Sequence, residues 1–211
     1  ILITTKKGAS GKPFSVNYSG NVSVSSPIKY VDVFTAAEFR DLIETKYPTF
    51  VDTLGTASID WQREIYRTAV SHDHNLNFSG GLGDFPYRVS FGYTDQNGIL
   101  KTDNMKRYTG ALNLNPSLFE DHLRIELNAK GMVNNNFFAN QGAIGGSLSM
   151  DPTQEPAFLW KNPDGSPLFV APMNPLTQLY DQDDESSVQR FLGNLQLEYK
   201  LHFLPDLKAR V

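Results

Sequence analysis

From Phe14 to Val24 the chain alternates. Phe14, Val16, Tyr18, Val22 and Val24 are apolar, Gly20 completes the even set, and Ser15, Asn17, Ser19, Asn21 and Ser23 are polar. A period of two places the two sets on opposite faces of a strand. The pattern returns around His74–Gly80, where Leu76 and Phe78 share a face. Tyr87, Val89, Phe91 and Tyr93 then alternate with Arg88, Ser90 and Thr94, and Leu112 and Leu114 with Asn113. Leu123, Ile125, Leu127 and Ala129 alternate with Arg124, Glu126, Asn128 and Lys130. Leu195, Leu197, Tyr199 and Leu201 alternate with Asn194, Gln196, Glu198 and Lys200. These runs predict an all-β fold, an antiparallel up-and-down meander.

The connections between the runs are very unequal. Residues 27–71 and 134–189 form long connections and 96–107 a medium one, whereas 83–86, 119–122 and 204–206 are tight turns. In a meander the tight turns all fall at one end and the longer connections at the other. Local helix is expected in the first long connection. Thr35-Ala36-Ala37-Glu38 has the spacing of a capping box, and Phe39, Leu42 and Ile43 follow at helical spacing until Pro48. Asp60 can cap a second short helix over Trp61–Tyr66.

Two architectures fit this pattern. In a soluble sheet the apolar face makes a core and the polar face meets water. In a transmembrane barrel the apolar face meets lipid and the polar face lines a wet lumen. Strands of about ten to twelve residues match a tilted bilayer crossing, and short turns opposite long loops match outer-membrane barrels. Phe14, Tyr87, Tyr199 and Phe203 toward the tight-turn end, with Tyr93 and Tyr108 toward the loop end, are placed like two interfacial girdles. The reading is therefore a large transmembrane β-barrel wall with short helices in a long extracellular loop. A soluble carbohydrate-binding or adhesin β-domain is the alternative.

Composition narrows the function. A net charge of −4 argues against a nucleic-acid partner, and the absence of cysteine excludes disulfides and thiolate metal sites. The mean hydropathy of −0.35 suits an alternating barrel as well as a soluble chain. Both ends fall within alternating runs, so the sequence reads as a piece of a longer protein.

Candidate chemistry is sparse. His72 and His74 share a strand face, but no third ligand is evident, so no metal site is expected. Asp181–Glu185 lacks the spacing and central glycine of a calcium loop and reads as a solvated external loop. There are no paired carboxylates of glycosidase type, no nucleophile elbow and no phosphate-binding loop. No enzyme activity and no cofactor are expected. Phe158, Trp160, Phe169 and Tyr180, in the second long loop, can stack on sugar rings or meet a lid protein, or else pack within the loop.

Several segments resemble the SusC/RagA branch of TonB-dependent receptors of Bacteroidetes. They include Ile1-Leu2-Ile3-Thr4-Thr5-Lys6-Lys7-Gly8, Asp60-Trp61-Gln62-Arg63-Glu64-Ile65-Tyr66, Gly92-Tyr93-Thr94-Asp95-Gln96-Asn97-Gly98, Met150-Asp151-Pro152-Thr153 and Leu201-His202-Phe203-Leu204-Pro205-Asp206. The resemblance implies an outer-membrane importer of oligosaccharide or peptide, with TonB and a SusD-like surface lipoprotein as partners. Residues 1–8 would be the last strand of the plug domain, 9–13 a linker, and 14–211 the first barrel strands. About seven strands cannot close such a barrel, and no catalytic or substrate residue carries over by motif.

Overall fold

A computed structural model describes residues 11–83, 85–155, 174–181 and 183–211. The plug and linker assignments for residues 1–10 lie outside them. The alternating runs form one antiparallel sheet: β1 (Ser15–Ser25), β2 (Ala69–Leu82), β3 (Phe85–Asn97), β4 (Asn104–Leu114), β5 (Ser117–Leu118), β6 (Leu123–Phe137), β7 (Glu185–Leu201) and β8 (Leu204–Arg210). Their order is β1-β2-β3-β4-β6-β7-β8, with two-residue β5 paired to β6. This is the expected meander.

The strands run further toward the loop end than alternation indicates. β6 continues through Asn134, Asn135 and Asn136, which pair with Val188, Ser187 and Ser186 of β7. Polar residues occupy both faces there, so the period of two disappears while backbone pairing persists. Ser187 Oγ donates to Asn135 Oδ1 at 2.8 Å across the pair.

Register aligns the apolar positions into rows. One row is Val16, Phe78, Val89, Leu112, Ala129 and Gly193. Two rows closer to the loops stand Gly20, His74, Tyr93, Tyr108, Val133 and Gln189. The upper limit of the apolar stretch drops across the sheet. It reaches Val24 on β1, Tyr93 on β3 and Tyr108 on β4, and ends at Phe191 on β7. The lower limit drops in parallel, from Phe14 on the β1 side to Leu201 on β7.

The limits fall by three rows, about 20 Å of strand, over five strand steps, about 24 Å of sheet. The apolar band is therefore inclined by about 40° to the hydrogen-bonded rows, which matches the ~35–45° strand tilt of outer-membrane barrels. A band perpendicular to the membrane normal on tilted strands produces this slant. A soluble core has no reason to.

This apolar face has no cover among the described residues. Val16, Tyr18, Val24, Phe91, Leu195 and Phe191 are all exposed, Phe191 at 75%. The packed core lies in the connections instead, around Ile65, Leu100, Ala143 and Leu179. A soluble sandwich would bury the sheet face first.

Candidate functional site

The loop end carries the most ordered tertiary structure, and its local causes are readable. Helix α1 (Ala36–Lys46) starts with the expected capping box: Glu38 N donates to Thr35 Oγ1 at 3.3 Å, and Thr35 N donates to Glu38 Oε2 at 2.8 Å. Bonds from the Thr35 backbone N–H, then from its hydroxyl, hold the Glu38 carboxyl below its usual pKa. A 3-10 turn over Pro48–Thr53 follows. Helix α2 (Trp61–Ile65) is capped by Asp60, whose carboxylate accepts from Gln62 N and Arg63 N.

Two helices that the sequence reading did not place lie in the second long connection: α3 (Gly142–Ser149) and α4 (Pro175–Tyr180). Asn174 caps α4 by accepting from Leu176 N at 2.9 Å, with Pro175 at the first helical position. Asn followed by Pro was the available signal.

All three longer connections join. Ile65 from the first, Leu100 from the β3–β4 connection, and Ala143 and Leu179 from the third make one small core. A seam of hydrogen bonds runs beside it. Thr153 Oγ1 accepts from Gly55 N at 2.8 Å, and Thr153 O accepts from Ala57 N at 2.9 Å. Ile59 N donates to Pro152 O at 2.9 Å, and the Trp61 indole N–H donates to Asp151 O at 2.8 Å. Asp151 Oδ1 in turn accepts from both the backbone N–H and the hydroxyl of Thr153, at 2.7 Å each.

The shorter connection is clamped to the same unit. Arg67 donates from Nε to Gly98 O at 3.0 Å and from a terminal nitrogen to Asp103 O at 2.8 Å. Lys101 N donates to Ile65 O at 2.9 Å. The result is one platform fixed across the loop end of the strands.

Below the platform the polar face of the sheet forms a hydrogen-bonded wall. Asn77 Oδ1 accepts from Arg88 and from Ser90 Oγ, each at 2.8 Å. Asp73 accepts from Thr94 Oγ1 at 2.6 Å and from Asn75 Nδ2 at 2.5 Å. Near the tight turns, Glu198 is buried between Arg210 at 2.5 Å and Lys208 at 3.5 Å. A polar hollow of about 320 Å³ opens on this face at the loop end, lined in part by Asn21, Ser23, Ser25, Asp73, Thr94 and Gln96.

Of the four aromatic residues singled out in the second long loop, Phe158, Trp160 and Phe169 lie outside the described residues. Tyr180 ends α4 and is exposed. His72 and His74 share the apolar face, with ring centroids 5.1 Å apart. His74 Nδ1 shares a 2.6 Å hydrogen bond with the Tyr18 hydroxyl, and the His72 ring lies tilted against Tyr93, with centroids 5.6 Å apart. They therefore extend the Tyr93–Tyr108 belt, whose rings lie 5.0 Å apart. Among the described residues no cluster of three or more ligating side chains forms.

Comparison with known proteins places this geometry. No family model matches the chain. It is 43% identical over 235 residues to TonB-dependent receptor SusC of Bacteroides thetaiotaomicron, a match covering 99% of this chain and 23% of that protein. It is 31% identical over 131 residues to TonB-dependent receptor P3 of Formosa agariphila, covering 62% of this chain and 13% of that protein. The fold matches solved structures of the RagAB peptide importer in its closed-closed and open-open states, with TM-scores of 0.61 and 0.64 at 18% identity. Each covers 92% of this chain and 27% of the solved one. The chain thus spans about a quarter of the length of these relatives.

Proposed function

Because the chain belongs to the SusC/RagA-type TonB-dependent receptors, we propose that this protein imports an oligosaccharide across the outer membrane. Receptors of this family are outer-membrane proteins of Gram-negative bacteria, and they are transporters rather than enzymes. The slanted apolar band is the observation that carries the reading to this chain. It supports reading the apolar face as the lipid side, the polar face as the lumen side and the strands as tilted.

In this reading residues 14–211 are barrel wall. The tight turns face the periplasm, and the connections within 27–71 and 134–189 form the extracellular platform. Residues 1–8 belong to the plug and 9–13 link it to the wall. TonB supplies the pull from the inner membrane, and a SusD-like lipoprotein meets the platform from outside. The two-component RagAB importer supports such a pairing, and its peptide cargo makes peptide the competing substrate class. The polar wall performs no covalent chemistry. It hydrates and guides a solute past side chains that are themselves already hydrogen-bonded.

The test is fractionation and uptake with the full-length protein. It should sediment with outer membranes, require detergent for extraction, and support uptake that disappears when TonB is removed. Recovery from the aqueous fraction without detergent would refute the assignment.

A further inference from the structure

We infer that the apolar side of β3–β7 carries a binding site for the acylated, phosphorylated disaccharide that anchors lipopolysaccharide. Its acyl chains would lie over the Gly110–Gly131 pair and its headgroup at Lys106. The inference rests on the barrel-wall reading above and adds a ligand to the outer surface of that wall.

Register stacks two hollows on this side of the sheet. The lower, of about 580 Å³, is lined in part by Phe91, Tyr108, Gly110, Gly131, Val133 and Phe191. Phe91, Gly110, Gly131 and Phe191 form one row, and Tyr108 and Val133 stand in the next. The upper hollow, of about 540 Å³, is lined in part by Asn104, Lys106, Asn135, Phe137, Glu185 and Ser187. These occupy the two rows that follow. Rows on one face are about 7 Å apart, so the hollows succeed one another along the strands. They lie on the side away from the lumen. Their floor is β4, β6 and β7, each paired on both sides, so no sheet edge opens into them.

Glycine makes the lower hollow. Gly110 and Gly131 are direct cross-strand partners, and a Cβ on either would meet nothing within 4 Å. Neither has a positive φ, so the backbone does not demand glycine at these positions. Glycine within a strand weakens it and often marks the close approach of a ligand or another backbone. Phe91 and Phe191 wall the hollow from β3 and β7, three strand steps or about 14 Å apart. That is wider than one hydrocarbon chain. Lipid tails already surround such a wall, so the groove gains an acyl chain by close packing rather than by apolar burial.

The change from apolar to polar falls between the hollows. The apolar stretch ends at Tyr108 on β4 and at Phe191 on β7. Above it stands Lys106, the single Lys or Arg on this side of the strands among the described residues. Its cross-strand neighbour Asp95 already accepts from Asn104 Nδ2 at 2.8 Å and from the Tyr93 hydroxyl at 3.2 Å. Lys106 can therefore meet a phosphate. Glu185, Asn135 and Ser187 offer the acceptors and donors that sugar hydroxyls and amide groups use. In the barrel-wall reading the loop end is extracellular, and lipopolysaccharide stands in the outer leaflet of Gram-negative bacteria.

The experiment uses the full-length receptor, extracted from outer membranes in mild detergent, stripped of lipid and measured by native mass spectrometry. The probes are diphosphorylated lipid A, its phosphate-free form, phosphatidylglycerol and phosphatidylethanolamine. Lipid A should occupy one saturable site and bind more tightly than the other three. Gly131→Val should weaken it about tenfold. Gly110→Val, which fills the groove from the facing strand, should do the same. Valine suits a strand, so outer-membrane amount and melting temperature should not fall in either variant. Lys106→Gln should weaken lipid A about fivefold and leave the phosphate-free form unchanged. Equal affinity for the phospholipids, lipid A binding that both valine variants leave intact, or an unchanged preference in Lys106→Gln overturns the inference and leaves the importer standing. So does a receptor dimer that buries this face. A receptor that leaves the membrane without detergent overturns the barrel-wall reading, and the inference with it.

Discussion

Replacing Thr153 by Val tests whether the longer connections are one unit. Thr153 is fully buried, and its hydroxyl does two things. It accepts from Gly55 N at 2.8 Å and donates to Asp151 Oδ1 at 2.7 Å. Valine keeps the volume and the branching but neither bond. The orphaned Gly55 N–H costs about 1–3 kcal/mol, and the bond lost to an ionised carboxylate about 1.5–3 kcal/mol. Gly55 is only half-buried, so the lower part of each range applies, about 3 kcal/mol in all.

At ~1.4 kcal/mol per decade, the seam should open about a hundredfold more often. Hydrogen exchange of the full-length receptor in detergent reads this directly. The amides of Ala57 and Ile59, which donate to Thr153 O and Pro152 O, should exchange about a hundredfold faster. Amides of the β2–β3 ladder should not change. Unaltered exchange at 57 and 59 would mean that the seam does not hold the loops together.

Three further outcomes follow from the same geometry. Gly55→Ala should open the same seam, because a Cβ there would lie 2.1 Å from Thr153 O, and the check is the same exchange measurement. Arg67→Lys should expose residues 98–103 to limited proteolysis, since an ammonium cannot reproduce the guanidinium fork that reaches Gly98 O and Asp103 O together; protection equal to the parent would count against the clamp. A bond from Ser117, with smaller help from Arg124 and Lys200, holds the Asp121 carboxyl below its ordinary value of 3.8. Its stabilisation of the 119–122 turn should therefore be complete above about pH 4 and disappear as pH falls through the lowered value. Ser117→Ala should move that loss upward in pH, as read by exchange of the His122 amide, which donates to Phe119 O.

The sheet was legible in the sequence because one apolar and one polar face impose a strict alternation on Val16, Tyr18, Val89, Phe91, Ile125 and Leu197. Where that constraint ends, so does the signal. Asn134–Asn136 continue a ladder, yet their composition reads as loop. The capping box of α1 and the Asp60 cap of α2 were visible because they are local, within four residues of one another. The platform was not. Gly55 and Thr153 meet across 98 positions through a backbone N–H and a side-chain hydroxyl, a pairing that leaves no compositional trace. Alternation puts the paired histidines on the face of Leu76 and Phe78, and register adds that they stand beside Tyr93.

The central claim is that the apolar face is a lipid-facing wall on tilted strands. Val22 on β1 and Ser187 on β7 lie in the same hydrogen-bonded row, on the same face, at opposite sides of the sheet. These 211 residues contain no cysteine, so a spin label can be attached at each position alone in a reconstituted full-length receptor in which any cysteine outside them has been replaced. A label at Val22→Cys should collide with lipid-soluble oxygen, and one at Ser187→Cys with an aqueous nickel reagent. Water exposure at both positions would contradict the lipid band. Lipid exposure at both would contradict its slant.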